Sequence, residues 1–199
     1  QQFTEDSGPL AHPVRPKEYR EINNFYTPTV YEKGAEIIRM LKILIGDKNF
    51  RAGISLYLSR CDGTAATIEE FLACFAEVSN RNLAHFAKWY EQAGTPRVSI
   101  VEHYDPEAKH YSLTFSQATP TTPGQPIKEP LVIPIALGFI NREGVEVPLR
   151  ASHPNFKSDI FVLDKSSSEL TFKDVSKKPI LSALRGFSAP VILEVETSD

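Results

Sequence analysis

Apolar positions along this chain follow two periods, and the change falls near residue 95. Upstream they recur at helical spacing. Ile37, Met40, Leu41, Leu44 and Ile45 stand at i, i+3, i+4, i+7 and i+8 and make one apolar face. Thr27-Pro28 supplies a good N-cap and the residue favoured at the first helical position. A helix is therefore expected from there to Gly46, which reads as a C′ glycine. A second helix, capped by Asp47, repeats the spacing through Phe50, Gly53, Ile54, Tyr57 and Leu58 and closes at Asp62-Gly63. A third opens at Thr67, with Glu70 three residues on in a capping-box pattern, and presents Ile68, Phe71, Leu72 and Phe75. A fourth, capped by Asn82, carries Leu83, Phe86, Ala87 and Tyr90 and stops at Gly94, with Pro96 just beyond. Four short amphipathic helices with short joints predict a packed helical unit. Ahead of them, Gly8-Pro9, His12-Pro13 and Arg15-Pro16 forbid a continuous helix, so Gln1 to Thr27 is expected to run as an irregular, extended strap.

From Arg97 onward the period is two. Val98 and Ile100 alternate with polar neighbours, as do Tyr111, Leu113 and Phe115, then Leu131 to Phe139, then Val145, Val147 and Leu149. Ile160 to Leu163, Leu170 with Phe172, and Val191 to Val195 complete seven candidate strands. Asp105-Pro106, Asn141 to Gly144 and Ser152 to Asn155 supply the turns, and the Pro/Thr-rich stretch Thr119 to Pro130 reads as a long loop. Strands this short and this regularly spaced predict an antiparallel β-sandwich of immunoglobulin-like type. It lacks the Cys…Trp…Cys pin of antibody domains. The expected fold class is thus an α+β two-part chain, with a helical segment over 1–96 and a β-sandwich over 97–199.

Composition narrows the partners. Of 199 residues, 41% are hydrophobic and 24% charged, enough for a buried core. The formal net charge of -3 gives no electrostatic case for nucleic acid or an anionic membrane face. No apolar run approaches the length of a membrane span, and no signal-type segment opens the chain. Cys61 and Cys74 exclude a disulfide-rich scaffold and a four-cysteine zinc site, and they fit a cytoplasmic protein. Met40 is the only methionine and residue 1 is Gln, so the chain is expected to be a processed product or a piece of something longer.

The usual catalytic signatures are missing. His12, His85, His103, His110 and His153 form neither HExxH nor HxH, and there is no nucleophile elbow, Walker loop or dinucleotide fingerprint. No metal-ligand set is expected in this stretch. Cys61 reads as a half-buried structural thiol. One segment stands apart: Asn23-Asn24-Phe25-Tyr26-Thr27-Pro28-Thr29-Val30-Tyr31-Glu32-Lys33-Gly34-Ala35 joins a polar strap to a capped helix. Tyr31 falls in the first turn, and the small Gly34 and Ala35 at i+3 and i+4 leave room beside its ring. A phenol is a neutral donor at pH 7 and can donate to a developing oxyanion without titrating. The same spacing equally allows Tyr31 and Tyr26 simply to pack the helix N-terminus on a neighbour.

Tyr26-Thr27, Tyr31 to Glu36 and Ile37 to Leu41 resemble the zinc aminopeptidases of the gluzincin clan, most closely the bacterial aminopeptidase N type. The resemblance continues through Asp62 to Thr67, Phe86 to Pro96 and Tyr111 to Gln117, and takes in His12-Pro13-Val14-Arg15-Pro16, so it covers essentially the whole chain. It implies that the helices are the C-terminal part of a thermolysin-like catalytic domain and that the strands are the β-sandwich domain following it. It implies that Tyr31 stabilises the oxyanion of a tetrahedral intermediate, with Tyr26 and Asn23 lining the substrate cleft. It implies zinc, peptide substrates and the remaining domains of the same polypeptide as partners of the parent enzyme. The HExxH, the further glutamate ligand and the amine-anchoring Gly-x-Met-Glu-Asn of that family do not occur here, so the stretch is expected to bind no zinc and to be inactive alone. The alternatives are a non-enzymatic β-sandwich interaction module and a metal-free paralogue kept as a scaffold.

Overall fold

The computed structural model describes residues 1–197. The chain divides into two compact units, 1–93 and 94–199.

The helical unit begins with a short helix that the proline pattern did not announce, α1 (Gln2–Asp6), and Ile22–Phe25 forms a 3-10 turn. The expected extended strap over Gln1 to Thr27 is therefore interrupted twice. Its prolines all lie between these two turns, where they leave both free to form. Asn24 holds the second turn, because its side-chain oxygen accepts from the Arg20 and Glu21 amides at 3.0 and 3.2 Å.

Thr27 caps the next element as expected, with its hydroxyl oxygen accepting from the Val30 amide at 3.2 Å. The first turn is not α-helical, however. Thr29–Lys33 is a π-helical turn, and only from there does α2 (Gly34–Ile45) run as an ordinary helix. Ile37, Met40 and Leu41 are fully buried, so the apolar stripe is the inner face. Gly46 ends α2 at φ +81°, a backbone that glycine adopts without steric cost. The same glycine precedes α3 (Asp47–Cys61), so Asp47 is the first helical residue and not a side-chain cap. α4 (Ile68–Ser79) carries the complete capping box, with the Glu70 amide donating to Thr67 Oγ1 at 3.2 Å and the Thr67 amide to Glu70 Oε2 at 2.7 Å. α3 and α4 interlock through Tyr57–Phe71 and Phe50–Phe75 ring contacts at 5.1 and 5.3 Å. Gly53 is there because of that approach: a Cβ on it would lie 2.4 Å from the Phe75 ring.

The fourth expected helix is mostly turn, and α5 spans only Lys88–Glu91. Asn82 does not cap a helix; its side chain accepts from the Ala84 amide, two residues on, in a local turn. The apolar residues still face inward, with Leu83, Phe86, Trp89 and Tyr90 buried. Burial at this spacing was legible, but a continuous helix was not required to achieve it.

Among the described residues, the β unit holds eight strands in two four-stranded sheets. One has the order β6 (Ser167–Phe172), β2 (His110–Ala118), β1 (Arg97–Asp105), β8 (Ile192–Thr197). The other has the order β4 (Phe156–Lys157), β5 (Ile160–Leu163), β3 (Ile133–Ile140), β7 (Ile180–Ala183). Pairing is antiparallel except between β1 and β8, which run parallel with Val98 opposite Leu193. Val145 to Leu149, expected as a strand, makes only a bridge between Ile140 and Glu146. β4 and β7 are strands the alternation did not show: β4 has only two residues, and Ile180–Ala183 does not alternate strictly between apolar and polar.

Alternation otherwise translates directly into a core. Ile100, Tyr111, Leu113, Phe115, Leu170 and Phe172 of the first sheet are fully buried, as are Ile133, Ile135, Phe161 and Leu163 of the second. Phe115 meets Phe161 across the sheets at 4.4 Å and Phe139 meets Phe172 at 4.9 Å. The Pro/Thr-rich loop is ordered by Lys128, whose ammonium donates to Thr122 Oγ1 and Gln125 Oε1 at 2.6 and 2.8 Å. Buried Gln117 ties β2 to its surroundings, donating to the Leu131 carbonyl at 2.8 Å and accepting from the Leu131 amide at 2.9 Å.

Candidate functional site

The π-helical turn gathers the residues singled out in the sequence. Tyr31 is its middle residue and is 60% exposed. Tyr26, 67% exposed, stacks on it, with ring centroids 6.0 Å apart and planes 21° from parallel. Asn23 lies in the preceding 3-10 turn, and its carbonyl accepts from the Tyr26 amide at 3.1 Å. The three residues thus share one exposed corner of the helical unit. Of the two small residues at i+3 and i+4, Ala35 is exposed, while Gly34 backs onto Val14, whose methyl would sit 3.6 Å from a Cβ there.

Beneath this corner lies machinery that sequence reasoning missed. Lys33 is 1% exposed, and its ammonium donates to Asp6 Oδ2 at 2.7 Å. Gln2 donates to the same carboxylate oxygen at 3.2 Å. One residue earlier in α1, Glu5 Oε2 accepts from both the Thr29 amide and the Thr29 hydroxyl, at 2.7 and 2.6 Å. Burial lowers the Lys33 ammonium from its ordinary range and the Asp6 charge pulls the other way. One signal was available. Extending the stripe of Ile37 and Met40 back by one turn lands on Lys33, and a charge on a buried stripe requires a partner. That the partner is Asp6, 27 residues upstream, no local pattern could say.

Elsewhere in the helical unit a cavity of about 270 Å³ opens beside α4, lined by Leu72, Ala76, Leu83, Ala87 and Tyr90, with Arg15 between Glu69 and Glu91 at its edge. Neither Tyr31 nor Tyr26 borders it. Among the described residues, no cluster of three or more His, Cys, Asp or Glu side chains could hold a metal ion. No described helix is long and apolar enough to cross a membrane.

Comparison with known proteins assigns both units. Residues 1–90 match the family model described as Peptidase family M1 domain, and residues 94–196 match Domain of unknown function (DUF3458) Ig-like fold. Aminopeptidase N of Escherichia coli K12 is 46% identical over 199 residues, which are 100% of this chain and 23% of that protein. Aminopeptidase N of Caulobacter vibrioides is 52% identical over 195 residues, 98% of this chain and 22% of that protein. The crystal structure of Legionella pneumophila aminopeptidase A in complex with aspartic acid superimposes with a TM-score of 0.79 at 28% identity, covering 94% of this chain and 20% of that one. The chain therefore spans about a fifth of the length of the relatives it matches. With aminopeptidases matching from end to end, an interaction module unrelated to them is not favoured. A Peptidase family M1 segment followed by the DUF3458 Ig-like domain, with bacterial aminopeptidase N matching at this level of identity, means that the chain belongs to the DUF3458 family and carries it behind part of a Peptidase family M1 domain.

Proposed function

We propose that this chain is the part of a zinc aminopeptidase that supplies the oxyanion donor for removal of N-terminal residues from peptides. The observation that carries the reading is the Tyr31 phenol, exposed on a pinned turn and stacked on Tyr26. When water attacks the scissile carbonyl, charge develops on the carbonyl oxygen, and a neutral phenol aimed there stabilises the transition state more than the substrate. In this reading Tyr26, stacked on Tyr31, and Asn23, whose carbonyl accepts from the Tyr26 amide, would line the substrate cleft. Zinc supplies water activation in such an enzyme. The described residues offer no ligand set for it, so this chain's own contribution is donation and substrate placement. Cys61 and Cys74, both free, support a reducing compartment and hence the cytoplasm.

The test is Tyr31→Phe in a polypeptide of the relatives' full length that carries this chain. kcat on an alanine chromogenic substrate should fall ~10²–10³-fold with KM little changed, since the donor acts in the transition state. An unchanged kcat would remove Tyr31 from the chemistry. The 199-residue chain alone should show no chelator-sensitive hydrolysis of the same substrate.

A further inference from the structure

Tyr31 presents a problem of placement. Its ring is mostly in solvent and touches one other ring, that of Tyr26, which is itself exposed. An oxyanion donor must be held to within a fraction of an ångström, and a side chain this exposed takes its direction largely from its backbone. That backbone is the Thr29–Lys33 π turn, a form that is rare beside the α-helix and frequent at functional sites.

From this geometry we propose that Glu5 and Asp6 of α1, gripping Thr29 and Lys33, form a clamp that positions the Tyr31 phenol, an inference that rests on Tyr31 being the oxyanion donor. Thr29 and Lys33 are the first and last residues of the five-residue turn, and Tyr31 is its centre. Consecutive carboxylates hold the two ends: Glu5 takes the Thr29 amide and hydroxyl, and Asp6 takes the Lys33 ammonium. Asp6 is in turn fixed by Gln2. The side chains of Lys33 and Asp6 are 1% and 0% exposed. A buried ion pair is a poor device for stability, since an apolar pair of the same volume often does as well, but it is directional. Asp6, Lys33, Glu5 and Thr29 are thus positioning residues: Asp6, Lys33 and Thr29 are buried and Glu5 is half-buried, whereas the phenol stands in solvent.

A double-mutant cycle in the full-length enzyme tests the clamp. Asp6→Asn keeps the shape and one acceptor but removes the charge. It should lower kcat ~10- to ~100-fold with KM unchanged. In the Tyr31→Phe background the same substitution should change kcat by no more than about twofold, because there is no phenol left to misplace. Equal losses in both backgrounds mean that the pair supports the fold in general, and they overturn the clamp. So does a normal kcat in Asp6→Asn. If Asp6→Asn does not accumulate as folded protein, Thr29→Val, which removes only the hydroxyl contact to Glu5, enters the same cycle under the same criteria. A loss in Tyr31→Phe without coupling to either variant defeats the clamp alone. No loss in Tyr31→Phe defeats the donor reading beneath it.

Discussion

In the β unit, Tyr111 is fully buried and its hydroxyl donates to Glu102 Oε2 at 2.7 Å, inside a cluster with Phe139 and Phe172. In the helical unit, Tyr31 stands in solvent, stacked on exposed Tyr26, on a turn whose own ends are buried and hydrogen-bonded. The contrast separates two uses of one side chain. Tyr111 contributes a large apolar surface and satisfies its single polar atom internally. Tyr31 leaves its ring and hydroxyl available, while the structure's polar connections are concentrated in the backbone that carries it. The same division holds for charge. Glu102, 5% exposed, serves the core by accepting from a phenol, whereas Asp6 serves a neighbouring turn that faces outward.

The contrast can be broken by experiment, and the largest expected effect is in the β core. Phe115→Ala should destabilise the chain by about 4 kcal/mol in urea unfolding, since it opens a cavity against Phe161. A loss below about 1 kcal/mol would mean that the two sheets do not depend on that contact.

Tyr90 comes next, as the buried tyrosine of the helical unit. Burial pushes its phenol up from 10.0 to about 12. Because the folded value is the higher one, its contribution is complete below pH 10 and is lost as the pH climbs through about 12. Between pH 9 and pH 12, denaturant titrations should show a loss of stability about 2–3 kcal/mol smaller in Tyr90→Phe than in the unaltered chain.

A smaller effect separates the two tyrosine types directly. Tyr111→Phe should cost about 2 kcal/mol, because it leaves the Glu102 carboxylate without that donor. Tyr31→Phe, at an exposed position, should change stability by no more than about 0.5 kcal/mol while still removing kcat. Equal stability losses would erase the distinction. Last, Thr67→Ala should cost about 1 kcal/mol in thermal unfolding, because it removes the acceptor for the Glu70 amide in the capping box of α4. An unchanged melting temperature would show that tertiary packing alone holds that end.

Much of this molecule could be read from local pattern. The stripe from Ile37 to Ile45 lies on the inner face of α2, the Thr67–Glu70 capping box forms as written, and the alternation of Tyr111, Leu113 and Phe115 places all three in the sandwich core. The departures share a cause. Leu83 to Tyr90 had the spacing of a helix and formed mostly turns, because burying those residues needs only that they face one way. Val145 to Leu149 alternates but finds only one bridging partner, and β7 forms at Ile180–Ala183 because β3 offers an edge there.

What the sequence by itself determined was therefore everything set within a turn or two of the chain: period, caps, stops and the phenol's place at a helix start. Only the tertiary structure decided which carboxylates would grip that start. Glu5 meets Thr29 and Asp6 meets Lys33 across 24 and 27 residues. Such pairings arise from how the chain returns on itself, and the cost of leaving Lys33 buried without a counter-charge makes that return specific.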